Sequence, residues 1–324
     1  MKALLCTRLG GIDDLEIQDL ADPMLGSGEV LVAVKAAALN FFDTLIIAGK
    51  YQRKPELPFS PSAEFAGVVE SVGPGVTAFK PGDRVAGYIG HGAARQKLAV
   101  PATALVKMPE GLDFDRAAGV TVIYGTSHYA LKNRGHLKAD ETLAVLGASG
   151  GVGLAAVELG KIMGARVIAC ASSDEKIEFA KKHGADDGIN YARDDLKTEL
   201  RKLTGGNGPD VVYDPVGGAY TEAAVRATAW LGRVLVVGFA AGEIPKLPLN
   251  LPLLRNCDIV GVLWGGWTEH DAEGYRANTE ELLAWTAQGK LSSHVHAVYA
   301  LDDAKQALKD IAARKVMGKA ILRM

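Results

Sequence analysis

The sequence predicts an α/β protein in which a doubly wound parallel sheet follows a mostly β region. Three observations carry that reading. Up to about residue 120, strand-like runs are separated by turn signals; from about residue 122, apolar strands alternate with helical segments; and between the two first elements of that alternation stands "LAVLGASGGVGLAAVELGK", Leu143 to Lys161. Strand, helix, strand repeated in this way implies parallel pairing with both sheet faces covered.

In chain order, "EVLVAVKAAAL" and "FAGVVESVG" read as strands, and "SPS", "GPGV" and "KPGDRV" as turns. The strands "TLAVLG", "RVIACA", "DVVYDPV" and "RVLVVGF" then alternate with helices such as "SDEKIEFAKKHG" and "AYTEAAVRATAWLG". Beyond about residue 260 come helices around "NTEELLAWTAQGK" and "LDDAKQALKDIAARK", and a last strand, "KAILRM". No internal repeat or low-complexity linker is present, so any domain boundary is a packed one.

The 324 residues are 48% hydrophobic and 23% charged, which suits a soluble chain of two domains. The formal charge is −2 with both signs interspersed, so there is no footprint for nucleic acid or an anionic membrane, and a small-molecule partner is expected. "MKALLCTRLGGIDDLEI" lacks the apolar core of a signal peptide, and no apolar run reaches the roughly 20 residues of a membrane helix, so a cytoplasmic protein is expected. Cys6, Cys170 and Cys257 are far apart with no C-x-x-C pair, and read as buried small hydrophobes.

Leu143–Leu146 is an apolar run, and Val152, Ala155, Ala156, Leu159 and Met163 share one helical face, so the small residues fall at a strand-to-helix turn. Such a turn offers free N–H groups and the positive end of a helix dipole to an anion. Gly150, Gly151 and Gly153 let the chain turn, let a pyrophosphate approach and let the helix pack closely, although the first position of the usual triplet is Ala148. The alternative is a tight connection without ligand; the surrounding alternation favours a dinucleotide. An acidic residue about 20 positions on would hold a free 2′-hydroxyl. Asp174 and Glu175 lie near that distance, but "SSDEKIEFAKK" reads as a helix start capped by Ser172 or Ser173, with both acids in its first turn. Ser172 and Lys176 suit a 2′-phosphate, which favours NADPH over NADH.

The segments "LNFFDTLIIAGKY", "GVVESVGPGVTAFKPGDRV", "LGASGGVGLAAVELGK" and "YDPVGG", in this order, resemble the medium-chain dehydrogenase/reductase superfamily and, more narrowly, its zinc-free quinone oxidoreductase branch, the relatives of zeta-crystallin. The resemblance runs from the N-terminus to "GKAILRM". It implies a β-rich, partly open barrel (GroES-like) catalytic domain from residues 1–121 and 263–324, around a Rossmann-type dinucleotide-binding domain at 122–262. Asn40 stands where zinc-dependent members place a cysteine, and Ala63 precedes Glu64 where they place a histidine; an amide and a methyl do not replace a thiolate and an imidazole. The structural cysteine cluster is missing too, and the seven histidines, His294 and His296 among them, form no H-E-x-x-H pattern. No metal is expected. Without a Lewis acid for alcohol oxidation, the sensible chemistry is reduction of a quinone or other α,β-unsaturated carbonyl, with hydrogen-bond donors at the distant oxygen.

By resemblance, Asn40 and Asp43 fall beside the nicotinamide and Tyr51 at the mouth of the cleft, while Leu45 replaces a tyrosine of some relatives. Asp43 reads equally as a buried structural carboxylate, and Tyr51 as a packing residue. Ser149, Gly150, Gly151 and Val152 would contact the pyrophosphate, and Thr126 would meet the nicotinamide side. Ser172, Lys176 and Tyr191 match the 2′-phosphate neighbourhood, with Tyr191 alternatively a loop anchor. Gly238, Phe239 and Ala240 would border the nicotinamide ribose, with Gly217 on the preceding edge. Lys319 either reaches back to the cofactor or is a surface lysine. Trp264 and Trp267 line an aromatic pocket or belong to a core or interface. A homodimer is implied. Two other readings stand beside the reductase: an NADPH-binding protein with little catalysis, and an NAD-linked dehydrogenase.

Overall fold

Antiparallel strands dominate the first third of the chain in a computed structural model that describes residues 1–324. β1 (Lys2–Cys6) and β2 (Leu15–Asp19) form a separate antiparallel pair. β3 (Glu29–Leu39) leads into α1 (Phe41–Ile47), and β4 (Glu64–Val72), β5 (Arg84–Tyr88), β6 (Lys97–Pro101) and β7 (Leu105–Lys107) follow. One edge of β3 pairs with β4 almost throughout, with register shifts at Leu31/Val32 and Val34/Ala36; the other pairs with β6 over Glu29–Ala33. Such bulges bend and twist a strand, which lets the sheet curl.

Two short helices follow, α2 (Phe114–Ala118) and α3 (Thr121–His128), the latter running into a π-helical turn at Tyr129–Arg134. Then come β8 (Thr142–Leu146), α4 (Gly151–Ile162), β9 (Arg166–Ala171), α5 (Asp174–Lys182), β10 (Asp187–Asn190), α6 (Leu196–Leu203), β11 (Val211–Asp214), α7 (Ala219–Ala227), β12 (Arg233–Val236), α8 (Asn250–Arg255) and β13 (Asp258–Gly261). All six strands are parallel, in the order β10-β9-β8-β11-β12-β13. That is the doubly wound order, with its reversal between β8 and β11, where such sheets open a crevice at the strands' carboxyl ends. Leu143–Leu146 and Val167–Cys170 are fully buried, as a sheet covered on both faces requires. Side chains of Ser173 and Asp195 cap α5 and α6.

The chain then makes α9 (Trp264–His270), α10 (Ala272–Ala287), β14 (Val295–Ala300), α11 (Ala304–Ala312) and β15 (Lys319–Arg323). α10 begins at Ala272, earlier than its sequence pattern suggests, because Asp271 caps it. β15 lies antiparallel to Ala36–Leu39 of β3, so both ends of the chain complete one seven-stranded sheet, β14-β15-β3-β4-β5-β7 with β6 on β3.

The chain divides into one unit of Met1–Val122 with Thr268–Met324, and a second of Ile123–Trp267. The return junction is thus 267/268 rather than the expected 262/263. The cause lies in the two tryptophans: Trp264 is buried against Gly125, where an added Cβ would stand 2.8 Å from its ring, and Trp267 stacks on Tyr129 with centroids 4.6 Å apart. Of the alternatives for these tryptophans, packing within the second unit is the one observed.

Candidate active site

In the second unit, the turn between β8 and α4 is built from backbone. Gly147 has φ +61, and the N–H of Gly150 donates to Gly147 O at 3.0 Å. A Cβ at Gly153 would stand 2.1 Å from that same oxygen, so close packing of helix on strand fixes this glycine. Gly150 differs: a Cβ there would meet nothing nearer than 3.4 Å, so the protein's own packing does not demand a glycine. Gly150 caps α4 without a side chain, leaving its first N–H groups free for an anion. This cradle fits a pyrophosphate. Ser149 is buried beside it and Val152 half-buried, and the O of Val152 accepts from Ser127 Oγ at 2.9 Å. Ser127 also bonds Tyr213 Oη at 2.8 Å, so α3, the helix carrying half-buried Thr126, is tied both to the turn and to β11. Sequence reasoning missed Ser127, because nothing local marks a buried serine as a bridge.

At the ends of β9 and β10, Lys176 Nζ lies 3.4 Å from Ser172 Oγ. Tyr191, whose N–H donates to Ala171 O, packs on Tyr220 with centroids 4.4 Å apart. Ser173, not Ser172, caps α5. The Asp174 carboxylate receives Asn190 Nδ2 and Arg193 Nη1, each at 3.0 Å. At the ends of β11 and β12, buried Asp214 accepts from the N–H groups of Val216 and Gly217 and from Thr221 Oγ1. Gly217, at φ +74, comes so close to Phe239 that a Cβ would be 3.0 Å from its ring. Ala240 N–H donates to Pro215 O, and Gly238 N–H to Asp214 O, so Gly217, Gly238, Phe239 and Ala240 form one cluster of loops.

The first unit holds a network of side chains. Asn40, at the start of α1, is buried; its Nδ2 donates to Glu64 Oε1 at 3.0 Å and its Oδ1 accepts from Lys319 Nζ at 2.8 Å. Lys319, 2% exposed, also donates to Glu64 Oε1 at 2.6 Å and to Leu39 O at 3.1 Å. Its three ammonium protons thus have three acceptors within this unit, which corrects the reading of Lys319 as a surface lysine. Glu64 Oε2 takes the N–H of Val122, completing the carboxylate. Asp43, fully buried, accepts from Asn40 N at 2.7 Å and Ser62 N at 2.9 Å. It holds Ser62 at φ +68, a conformation rare for a side-chain-bearing residue. Burial pushes Asp43 up to about 7 in spite of those donors. Of the two readings of Asp43, the geometry carries the structural carboxylate: enclosed, with both oxygens on backbone N–H groups, it positions Asn40 and Ser62. The Asn40 amide is likewise engaged at both ends. Glu64 and Ser62 were missed as site residues, although "SAEFAG" contains both.

Tyr51 is half-buried and stacks on Phe42 with centroids 5.6 Å apart; burial pushes its hydroxyl above the ordinary tyrosine value. Arg53, nearby in the chain, pairs with Glu269 at 2.6 Å. No group of three or more His, Cys, Asp or Glu side chains is arranged to hold a metal ion.

Residues 26–110 match the alcohol dehydrogenase GroES-like domain and residues 151–285 the zinc-binding dehydrogenase domain. A quinone oxidoreductase-like protein 2 homolog of Nematostella vectensis is 38% identical over 99% of this chain and 88% of its own. The structure of Escherichia coli quinone oxidoreductase complexed with NADPH superposes with a TM-score of 0.94 at 29% identity, covering 100% of both chains. A 2-haloacrylate reductase superposes with a TM-score of 0.87 at 29% identity, covering 100% of this chain and 99% of its own. A parallel Rossmann sheet, a curled GroES-like sheet made from both chain ends, and likeness over the full length agree: the chain belongs to the quinone oxidoreductase branch of the medium-chain dehydrogenase/reductase superfamily.

Proposed function

We propose that the protein is an NADPH-dependent, zinc-independent reductase of quinones or other α,β-unsaturated carbonyls. One observation carries the reading: the Asn40 amide, at the position of a zinc-binding cysteine in metal-dependent members, is held between Lys319 and Glu64 at 2.8 and 3.0 Å. The pocket is balanced by a lysine cation, and Ala63 offers only a methyl, so the donor set does not suit zinc. The named relatives support the acceptor class, since a 2-haloacrylate, like a quinone, carries a double bond conjugated to a carbonyl.

Gly150, Gly151 and Val152 with Ser149 would hold the pyrophosphate, and Thr126, Gly217, Gly238, Phe239 and Ala240 the nicotinamide end. Ser172, Lys176 and Tyr191 would hold the 2′-phosphate; Asp174, engaged by Asn190 and Arg193, supports NADPH over NADH. When bound, NADPH supplies hydride from C4 of its nicotinamide. Tyr51, kept protonated by burial, serves as the donor toward the oxygen on which negative charge develops, and Asp43 and Lys319 hold Asn40 and Ser62 in place. A homodimer is supported by β13, an edge strand with Ile259 41% and neighbouring Leu263 73% exposed. A cytoplasmic setting is supported by three free cysteines. No helix is long and apolar enough to cross a membrane.

The test is the initial rate of NADPH oxidation by chelator-treated protein with a planar quinone and a simple enone in parallel. Oxidation that survives chelation is expected, faster with NADPH than with NADH. NADPH binding with no turnover on either acceptor, or on an enoyl thioester, would replace this reading by that of a cofactor-binding protein.

A further inference from the structure

The first unit carries a cleft of about 460 Å³ lined by none of the residues that the reductase reading uses. Phe59, Ile89 and Leu98 contribute apolar wall, and Glu56, His91 and Arg95 the polar lining. Phe59 and Leu98 are 3% and 5% exposed, so the wall is continuous with the core. The His91 ring meets Phe59 edge-on, with centroids 5.8 Å apart and planes at 87°.

Arg95 is the unusual member. Its Nε–H is buried with no acceptor, and burial pushes its guanidinium down with no carboxylate to offset the effect. His91 is pushed down too, by burial and then by the Arg95 charge. Three other cations of this unit show the contrast: Lys319 has Glu64, Lys97 has Asp22 and Glu70, and Arg323 has Asp115. A guanidinium set in an apolar wall with an unused donor is a costly arrangement unless an anion completes it.

We propose that this cleft binds an amphipathic monocarboxylate, its carboxylate received by Arg95 and His91 and its hydrocarbon body laid against Phe59, Ile89 and Leu98. A guanidinium fork matches a planar carboxylate with two parallel hydrogen bonds. The apolar wall favours a ligand with a hydrocarbon body over a bare ion. Glu56, on the same cleft, sets a negative charge against dianions, so inorganic phosphate is disfavoured.

The experiment is calorimetric titration of the full chain with octanoate, octanol and inorganic phosphate, on the wild type and on Arg95→Ala. Octanoate is expected to bind the wild type at least tenfold more tightly than octanol or phosphate, and to lose at least tenfold in Arg95→Ala. Because that variant could misfold, the wild type is also followed by NMR of the His91 imidazole. A neighbouring carboxylate favours the imidazolium, so His91 is expected to titrate at higher pH with octanoate than without. The proposal is overturned by octanoate binding equally well to a folded Arg95→Ala, by no octanoate binding at millimolar concentration, by tighter binding of phosphate, or by a His91 titration that octanoate leaves in place.

Discussion

At the turn Gly147–Val152 the polar groups offered to a ligand are backbone N–H groups, and the sequence requirement is an absence of side chains. Around Asn40 the polar groups are side chains from separate stretches, Asn40–Asp43, Ser62–Glu64 and Lys319, and each fills the hydrogen-bonding needs of another. The first region fails when something is added, the second when something is removed. That asymmetry ranks the substitutions that would break either one.

The largest effect is expected from Lys319→Met, which leaves Glu64 charged and unpaired in a fully buried place. Breaking a buried ion pair from one side costs about 3–5 kcal/mol, whereas neutral replacement of both partners is often tolerated. Urea denaturation should therefore show a steep loss for Lys319→Met and substantial recovery in Glu64→Gln/Lys319→Met. A loss under about 1 kcal/mol in the single variant would mean that Glu64 finds water or another partner, and that the network does not hold the site.

Next in size is a pH effect confined to the side-chain region. Asp43 is raised to about 7 in the folded chain from the ordinary aspartate value of 3.8, so between these values the folded chain keeps a proton that the unfolded chain has lost. Stability from this group is therefore greatest below about pH 4, falls as pH rises toward 7, and is level above that, at no more than about 1.4 kcal/mol per pH unit. Urea midpoints between pH 4.5 and 8 should fall less steeply in Asp43→Asn than in the wild type. Parallel slopes would show that the two N–H donors keep Asp43 ionised. The glycine turn has no titrating group, so Gly153→Ala should keep the wild-type slope.

The backbone region gives a smaller loss. Gly153→Ala drives a methyl against Gly147 O, which no side-chain motion relieves, and overpacking of this kind costs about 1–3 kcal/mol. NADPH affinity, followed by nicotinamide fluorescence, should weaken at least tenfold. Gly150→Ala separates folding from binding: with its Cβ in ordinary contact with Gly147 O at 3.4 Å, it should keep the wild-type denaturation midpoint and still lose NADPH affinity. If Gly150→Ala binds NADPH normally, the cradle is not where the pyrophosphate sits.

The same contrast decides what was legible in the sequence. The turn was readable because its logic is local: strand, small residues at fixed spacing, then an apolar helical stripe, all between Leu143 and Met163. The alternation of buried strands and helices was readable for the same reason, and placed β8, β9, β11 and β12. The side-chain network was not, since Lys319 and Asn40 are 279 positions apart and "MGKAIL" looks like any strand entered by a solvated lysine. Asp43 and Asn40 were found through resemblance, which supplied positions but not partners; only the geometry shows that their hydrogen bonds face inward. β1, β5 and β7 went unread because, unlike the equally short β8, β11 and β12, they are not set in a repeated strand–helix alternation that marks them out from loops.

The smallest expected effect concerns the one part of the backbone-built site that relies on a side-chain charge. Lys176, partly exposed on the first turn of α5, lies beside Ser172, and Asp174 is drawn off by Arg193 and Asn190. A single cation at such a position contributes modestly, because water and salt screen it. Lys176→Ala should weaken NADPH about three- to tenfold and leave NADH within about twofold, a ratio that shrinks as salt is raised. Equal weakening of both cofactors would place Lys176 outside the 2′-phosphate's reach. Stronger weakening of NADH would show that Lys176 serves a cofactor with a free 2′-hydroxyl, and would overturn the preference for NADPH.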